Sequence, residues 1–193
     1  MKNLILASGS PRRKQILTDA GFHPQVFPLD TDESFPVSMD VAQVPAYLAG
    51  KKMYEAVRMV ADKEAVIITA DTVVVLHNEI IGKPEGEADA QRILAKLSGA
   101  THTVITAVQL YNNGAYRDIQ TSTRVSMLPL TAKEIAHYVE RYKPLDKAGA
   151  YAIQEWIGLN KIAGIEGDYY NVVGFPMSRV YPVLKEWLLE ETD

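Results

Sequence analysis

The chain has 193 residues, of which 47% are hydrophobic and 23% charged, with a net charge of −4 and no cysteine. This composition is ordinary for a globular protein, and the length suits one domain or one domain with a lobe. The slight acidic charge argues against a broad basic surface for nucleic acid or an anionic membrane. The missing cysteines exclude disulfides and thiol catalysis, and no apolar run approaches the roughly 18 residues of a membrane span. We therefore expect a cytoplasmic protein with no nucleic-acid or membrane partner.

The chain begins with an apolar strand that leads through a small-residue turn into a helix. Leu4–Ala7 predicts the strand, and residues 11–20 predict the helix. Ser10 stands at the N-cap, and Pro11 stands at the first helical position, where a missing N–H costs nothing. Backbone N–H groups and the positive end of a helix dipole meet here, which favours polyphosphate binding. The side chains that would contribute are Ser8, Ser10, Arg12 and Arg13. The alternative is an ordinary capped surface helix with solvated arginines.

An acidic cluster and a second helix follow. The cluster around Glu33 is either an acidic surface loop or a source of metal ligands. Residues 41–60 predict a helix, in which Lys52 shares an inward-facing row with Val44, Leu48 and Ala56. Lysine at an inward position is unusual. It either extends along the apolar surface to reach water or points at an anion.

The run Val66–Leu76 predicts a long buried strand that contains one carboxylate, Asp71. An isolated buried carboxylate is costly, so Asp71 needs a metal, a cation or hydrogen bonds. The alternative is an aspartate at a strand break that accepts backbone N–H groups. Lys83 follows in a constrained turn between Gly82 and Pro84.

The second half of the chain alternates helices and strands. Asn112-Asn113-Gly114 predicts a hairpin turn, and Thr131 with Glu134 forms a capping box. His102 is interpreted as a packing or hydrogen-bonding residue, because no second His or Cys stands at ligand spacing. Residues 144–155 predict a loop or short helix, and residues 166–174 predict a loop. Helices are expected over residues 87–97, 131–142 and 176–190, the last kinked at Pro182, and strands over residues 102–111, 116–128 and 161–165.

Basic and acidic candidates occur together although the protein has no general basic surface. The basic candidates are Arg12, Arg13, Lys52 and Lys83. Glu33 and Asp71 are carboxylates suited to Mg²⁺, and this mixture suits a metal–nucleoside triphosphate. No Ser–His–Asp set is evident. Hydrolysis by a metal-positioned water therefore fits best, with Asp71 orienting or deprotonating that water.

Six stretches of the sequence resemble the Maf (septum-formation) family of nucleoside triphosphate pyrophosphatases. Each stretch alone is a weak signal, but together they cover almost the whole chain. They are Leu6–Arg13, Asp32–Ser34, Ala70–Val74, Gly82–Pro84, Leu97–Gly99 with His102, and Ile165–Gly174.

The resemblance implies one domain over residues 1–193 with an α/β fold like that of inosine triphosphatase. Such a fold has a long, mixed, twisted sheet flanked by helices, and two lobes with a central cleft. The resemblance also implies cleavage between the α- and β-phosphates, which yields a nucleoside monophosphate and pyrophosphate. A divalent cation, Mg²⁺ or Mn²⁺, is implied as the cofactor, and a homodimer is expected.

Individual residues receive roles from the same resemblance. Asp71 would be the proton acceptor, and Glu33 would join it near the metal. The implied phosphate-binding residues are Ser8, Arg13, Lys52 and Lys83. The group acting on dTTP and UTP is resembled by Lys143-Pro144, Asp146–Tyr151 and Ile153-Gln154, and its specificity positions fall on Arg12, Thr72 and Gln154. A glutamine amide carries a donor and an acceptor, so it can pair with N3–H and a carbonyl of uracil or thymine.

Two other functions are compatible with parts of the sequence. A nucleotidyltransferase also begins with a strand, a Gly-rich loop and an arginine, but it uses a paired-acid motif where this chain has Asp71 alone. A nucleotide sensor that acts by binding a partner needs no catalytic carboxylate. Retention of Asp71 with both lysines argues against such an inactive site.

Overall fold

The computed structural model describes residues 2–188, which form a mixed sheet of seven strands together with seven α-helices. The strands are β1 (Leu4–Leu6), β2 (Gln25–Val26), β3 (Val66–Leu76), β4 (Glu79–Ile81), β5 (Thr101–Asn112), β6 (Ala115–Met127) and β7 (Ile162–Glu166). The helices are α1 (Pro11–Asp19), α2 (Val44–Met59), α3 (Glu87–Leu97), α4 (Ala132–Tyr142), α5 (Trp156–Lys161), α6 (Tyr169–Val173) and α7 (Met177–Leu188). The mixed α/β fold class is therefore confirmed.

The sheet has the strand order β2-β1-β3-β5-β6-β7, and β4 pairs with β3. Strand β1 is parallel to both β2 and β3, with Leu4 opposite Val66 and Leu6 opposite Ile68. Strands β4 and β7 are antiparallel to β3 and β6. All three residues of β1 and the first six of β3 are buried. This continuous burial explains why both segments are apolar without alternation.

The chain forms two compact units, and it first passes from one to the other within β3, after Asp71. The first unit consists of Met1–Asp71, Thr106–Thr121 and Gly174–Asp193, as far as these ranges are described, and the second of Thr72–Ile105 and Ser122–Val173. The first unit has a buried cluster formed by Ile5, Ala7, Met53, Ala56, Val60, Ala65 and Ile67. The second has a larger cluster built from β3 to β6, α3, α4, α5 and the segment before α5. Two units agree with the two lobes expected. The single domain over residues 1–193 stays a prediction, and residues 1 and 189–193 lie outside the described residues.

Most predicted elements are confirmed, with small shifts at their ends. Helix α2 begins at Val44 rather than at residue 41, because residues 41–43 form a turn in which Asp40 Oδ1 accepts the Ala42 N–H (2.9 Å). Ser10 is the N-cap of α1, but its side chain makes no capping hydrogen bond. The capping box of α4 is present at Thr131. The last helix is observed with Pro182 inside it, and residues 189–190 of its predicted range lie outside the described residues.

Three short elements were not predicted. Strand β4 follows a turn in which His77 and Asn78 have positive φ angles of 49° and 63°, a conformation that joins hairpin strands. Helix α5 follows directly on the segment predicted as a loop or short helix. Helix α6 lies where a loop was predicted, because Asp168 Oδ1 accepts the N–H groups of Tyr170 (2.7 Å) and Asn171 (3.1 Å). That carboxylate caps the start of the helix.

Within residues 2–188, none of the helices combines the length and apolar character needed to cross a membrane.

Candidate active site

Arg13 holds the turn between β1 and α1. Its Nε donates to Gly174 O (3.0 Å), and its Nη1 donates to Ala70 O (2.8 Å) and to Ser8 Oγ (3.1 Å). Desolvation by burial lowers the pKa of Arg13 to about 10, with nearby Asp71 opposing the shift, so the guanidinium stays charged at neutral pH. Arg13 thus links Ser8 to the residue that precedes Asp71.

Lys52 joins the two candidate carboxylates. Its Nζ donates to Asp71 Oδ1 (2.6 Å) and to Glu33 Oε1 (3.0 Å), and its side chain is only 14% exposed. Asp71 is 7% exposed within β3. Lys52 therefore points inward at anionic groups, as one of the two interpretations predicted. Asp71 has the cationic partner that a buried carboxylate requires.

The packing of α2 on β3 explains how this pair meets. Val44, Leu48 and Ala56 are all buried on the row that also carries Lys52. Thr69 Oγ1 donates to Ala49 O (2.9 Å), a buried hydrogen bond that fixes β3 against the same helix. Since Thr69 and Asp71 are two residues apart on a strand, their side chains face the same side. Lys52 and Asp71 are thereby held opposite each other.

A second lysine, not predicted as part of the site, holds the acidic loop. Lys51 Nζ donates to Asp32 Oδ2 (2.9 Å) and to Ser34 O (3.0 Å). Hydrogen bonds from Ser34 and Lys51 keep the pKa of Asp32 well below its usual range. Consecutive lysines therefore bind consecutive acidic residues, Lys51 with Asp32 and Lys52 with Glu33. The two adjacent lysines and the two adjacent acidic residues were the sequence signal from which the role of Lys51 could have been predicted.

Burial dominates the electrostatics of Asp71. Desolvation raises the pKa of its carboxyl above the ordinary value, while the charge and hydrogen bond of Lys52 and the charge of Arg13 oppose the rise. A carboxylate whose pKa is raised is a stronger base than an exposed aspartate. The arrangement therefore suits proton transfer as well as cation binding.

The two carboxylates fit a divalent cation that is shared with a phosphate ligand. Within the described residues, no group of three or more His, Cys, Asp or Glu could hold a metal ion. Glu33 and Asp71 nevertheless converge on one ammonium, so their oxygens can face a common cation. Two hard oxygen donors, completed by phosphate and water, match the way Mg²⁺ is usually bound.

The remaining predicted residues lie on different elements. Arg12 is half-buried in α1 of the first unit. Thr72, Lys83 and Gln154 belong to the second unit. There Thr72 is half-buried on β3, Lys83 is exposed after β4, and Gln154 is exposed in the turn before α5. The structure brings together Ser8, Arg13, Glu33, Lys52 and Asp71 within the first unit.

His102 is a structural residue of the second unit. It is 1% exposed, and its Nε2 lies 2.7 Å from the hydroxyl oxygen of Tyr151. Burial lowers the pKa of His102 to about 4. Its interpretation as a packing and hydrogen-bonding residue is confirmed.

Comparison with known proteins gives consistent matches over the whole site. The family described as Maf-like protein matches residues 3–187, a range that contains every predicted site residue. A dTTP/UTP pyrophosphatase of Phocaeicola vulgatus is 45% identical over 184 residues, 95% of each chain. One from Porphyromonas gingivalis is 42% identical over 188 residues, 95% of this chain and 94% of the relative. A third, from Bacteroides thetaiotaomicron, is 40% identical over 184 residues, 95% of each chain.

Proposed function

We propose, since the chain belongs to the Maf-like protein family, that it hydrolyses dTTP and UTP to the nucleoside monophosphate and pyrophosphate. The observation that carries this proposal is the buried Asp71, bound through Lys52 to Glu33 beside the turn that Arg13 holds. The relatives named dTTP/UTP pyrophosphatase support the substrate assignment.

The triphosphate binds at the positive groups of the site. The Lys52 ammonium has three N–H donors and uses two of them on Asp71 and Glu33, so the third can serve a phosphate oxygen. Lys83 adds a second ammonium. Ser8 supplies a hydroxyl donor, and Arg13 supplies a charge whose position is fixed by Ala70 and Gly174. The groups proposed to contact phosphate are Ser8, Arg13, Lys52 and Lys83.

Asp71 orients a water molecule and accepts its proton. The water oxygen forms a bond to the α-phosphorus, while the bond from that phosphorus to the oxygen leading to the β-phosphate breaks. Pyrophosphate leaves with the bonding electron pair, and the proton remains on Asp71 until solvent removes it. The raised pKa of Asp71 supports this role, because it makes the carboxylate a stronger base.

Glu33 and Asp71 would hold a divalent cation, Mg²⁺ or Mn²⁺, when the nucleotide is bound. When bound, the cation would neutralise charge on the triphosphate and on the departing pyrophosphate. The protein residues supply two carboxylate donors, which fits a cation that takes its other ligands from phosphate and water.

Base selection is assigned to Gln154, Thr72 and Arg12. The amide of Gln154 can donate to a carbonyl and accept from N3–H of uracil or thymine, whereas cytosine presents the opposite pattern. Thymine and uracil differ by one methyl group, which is worth only about 1–3 kcal/mol in selectivity. We therefore expect dTTP and UTP to be good substrates and CTP and purine triphosphates to be poor ones.

Hydrolysis in ¹⁸O-labelled water tests the proposal directly. The purified protein is incubated with Mg²⁺ and one nucleotide, and the products are analysed by mass spectrometry. We expect dTTP and UTP to yield pyrophosphate and a monophosphate that carries the label. Label in pyrophosphate would contradict attack at the α-phosphorus. Turnover that needs a sugar-phosphate acceptor or a partner protein would favour a nucleotidyltransferase or a nucleotide sensor instead.

A cytoplasmic location and a homodimer are also proposed. The homodimer is tested by light scattering during gel filtration at several protein concentrations. A single mass of one chain, near 21.4 kDa, would contradict it.

A further inference from the structure

The geometry points to Tyr138 as a positioning residue for base selection, because its hydroxyl holds both ends of the turn that carries Gln154. This inference rests on the proposed function, in which Gln154 contacts the pyrimidine. The turn comprises residues 152–155 and is called the Gln154 turn below. It is closed by the N–H of Glu155, which donates to Ala152 O (3.1 Å).

One buried hydroxyl contacts the first and last residues of the Gln154 turn. Tyr138, on α4, is fully buried. Its hydroxyl accepts the Ala152 N–H (3.1 Å) and donates to Glu155 Oε2. Gln154 itself is exposed. Tyr138 thus binds the main chain at Ala152 and the side chain of Glu155, while the amide of Gln154 remains exposed.

The protonation states of Tyr138, Glu155 and Lys147 favour these hydrogen bonds. Burial, and then the hydrogen bond to Glu155, raise the pKa of Tyr138, so the phenol retains the proton that it donates. The buried Lys147 places its Nζ 3.6 Å from Glu155 Oε1 and 2.8 Å from Asp146 Oδ1. The Glu155 carboxylate thus faces a cation at Oε1, while its other oxygen, Oε2, accepts the hydrogen bond from Tyr138.

Helix α5 restrains the Gln154 turn as well, through a backbone contact. A Cβ atom added at Gly158 would lie 1.5 Å from Ile153 O, so the helix backbone packs directly against the turn. This close approach leaves little room for the Ile153 peptide to rotate. The turn is consequently held by a tyrosine hydroxyl and by a helix backbone.

Such restraint matters because the proposed discrimination depends on the direction of an amide. A freely moving glutamine can present its donor or its acceptor at the same place, and it would then accept cytosine as readily as uracil. A restrained glutamine leaves mispaired polar groups with the wrong base, which is the more effective form of rejection. Tyr138 is therefore assigned an effect on selectivity and not on the chemical step.

The test is Tyr138→Phe, which removes the hydroxyl and keeps the ring. We expect the ratio of kcat/KM for UTP to that for CTP to fall about tenfold, mainly through a lower KM for CTP. The kcat for UTP should stay within about twofold, because base contacts are made equally in the ground and transition states. Inhibition by pyrophosphate, which carries no base, should be unchanged.

Tyr142→Phe is the matched control. Its ring stacks on that of Tyr138 with centroids 4.8 Å apart, but the hydrogen bonds to Ala152 and Glu155 are made by the hydroxyl of Tyr138. Both substitutions remove one hydroxyl from the same helix, and we expect Tyr142→Phe to keep the wild-type ratio. In a Gln154→Ala background, Tyr138→Phe should have no further effect on the ratio, because it acts through that amide.

Glu155→Ala and Glu155→Gln provide a second route that leaves Tyr138 in place. The alanine variant should lower the UTP-to-CTP ratio as Tyr138→Phe does, and the glutamine variant, which keeps an acceptor oxygen, should restore most of it. The inference is overturned if Tyr138→Phe keeps the wild-type ratio, or lowers it equally when Gln154 is absent. Failure of the proposed function is seen separately, as wild-type protein that releases no pyrophosphate from dTTP or UTP.

Discussion

The Asp71 site and the Gln154 turn hold their functional groups in opposite ways. In the first unit, Asp71 and Lys52 are themselves largely buried, and each is the principal partner of the other. In the second unit, Gln154 is exposed, and the hydrogen bonds to the buried Tyr138 hydroxyl are made by Ala152 and Glu155. Reactive groups need a tuned electrostatic environment, whereas a recognition group needs a fixed direction.

This difference predicts which kinetic quantity each region controls. Changes around Asp71 should affect every nucleotide equally, because phosphates carry no information about the base. Changes around the Gln154 turn should alter the preference among bases and leave the rate constant of the best substrate nearly intact.

Asp71→Asn is expected to have the largest effect. It removes the proton acceptor and one of two candidate metal ligands, so kcat should fall about 10³-fold or more for UTP and dTTP alike. Steady-state kinetics and circular dichroism measure turnover and folding on the same preparation. Asp19→Asn is the control, since that exposed carboxylate lies at the end of α1 and accepts a hydrogen bond from Gln15. Near-normal turnover by Asp71→Asn would remove this residue from the mechanism.

Lys83→Gln tests whether a residue of the second unit can act on the phosphates, which all nucleotides share, and not on the base. Lys83 belongs to the second unit but is proposed to bind phosphate. Loss of one charge-assisted hydrogen bond should cost about 1.5–3 kcal/mol in kcat/KM, equally for UTP and dTTP. Lys14→Gln, at an exposed position of α1, should change neither value. A loss confined to one base would assign Lys83 to base recognition.

Gly158→Ala and Gly50→Ala make the same change in two helices, but we expect them to change the free energy of unfolding in opposite directions. At Gly158 the new methyl group would meet Ile153 O at 1.5 Å, so unfolding free energy should fall by about 1–3 kcal/mol. At Gly50, in α2, nothing lies within 4 Å, so alanine should stabilise by roughly 0.5–1 kcal/mol. Urea unfolding measures both. A neutral Gly158→Ala would mean that the Gln154 turn is not restrained by α5.

His102 is expected to make the stability of the second unit depend on pH, an effect that is separate from the contrast between the Asp71 site and the Gln154 turn. Its pKa is lowered by burial from 6.5 to about 4, so between these values the unfolded chain binds more protons. Stability is complete above pH 6.5 and decreases as pH falls, by roughly 1.4 kcal/mol at pH 5.5. Unfolding free energies at pH 7.5 and 5.5 measure the loss. His102→Gln should show a smaller decrease over this range, and an equal decrease would exclude this residue as its source.

Local sequence signals predicted the framework of the molecule well. The apolar run of β3, the hairpin at Asn113 and the capping box at Thr131 depend on neighbouring residues, and all are observed. The inward position of Lys52 followed from the helical period alone. Helix α6 was missed although Asp168 stands at a capping position, because the small residues and turn formers around it resembled a loop.

Contacts between distant segments could not be predicted in this way. Arg13 and Gly174 are 161 residues apart in sequence. Tyr138 and Ala152 are 14 residues apart, and the segment between them contains irregular structure. Tyr138 stands at a position on the apolar face of α4, so the sequence does not indicate a separate role for its hydroxyl. The roles of Gln154 and Thr72 came only from resemblance to a family. Such assignments need the folded chain, because a side chain reaching a distant backbone group leaves no periodic pattern.

The sharing of Lys52 by two carboxylates also limits how this protein can evolve. A substitution at Lys52 alone would leave Asp71 buried without its closest cation, and breaking a buried pair in this way typically costs about 3–5 kcal/mol. Globular domains have only about 5–15 kcal/mol of stability in total. A lineage that lost the lysine first would therefore lose much of its folding stability before it gained any new chemistry. Lys52, Glu33 and Asp71 are expected to be inherited, or replaced, as a set.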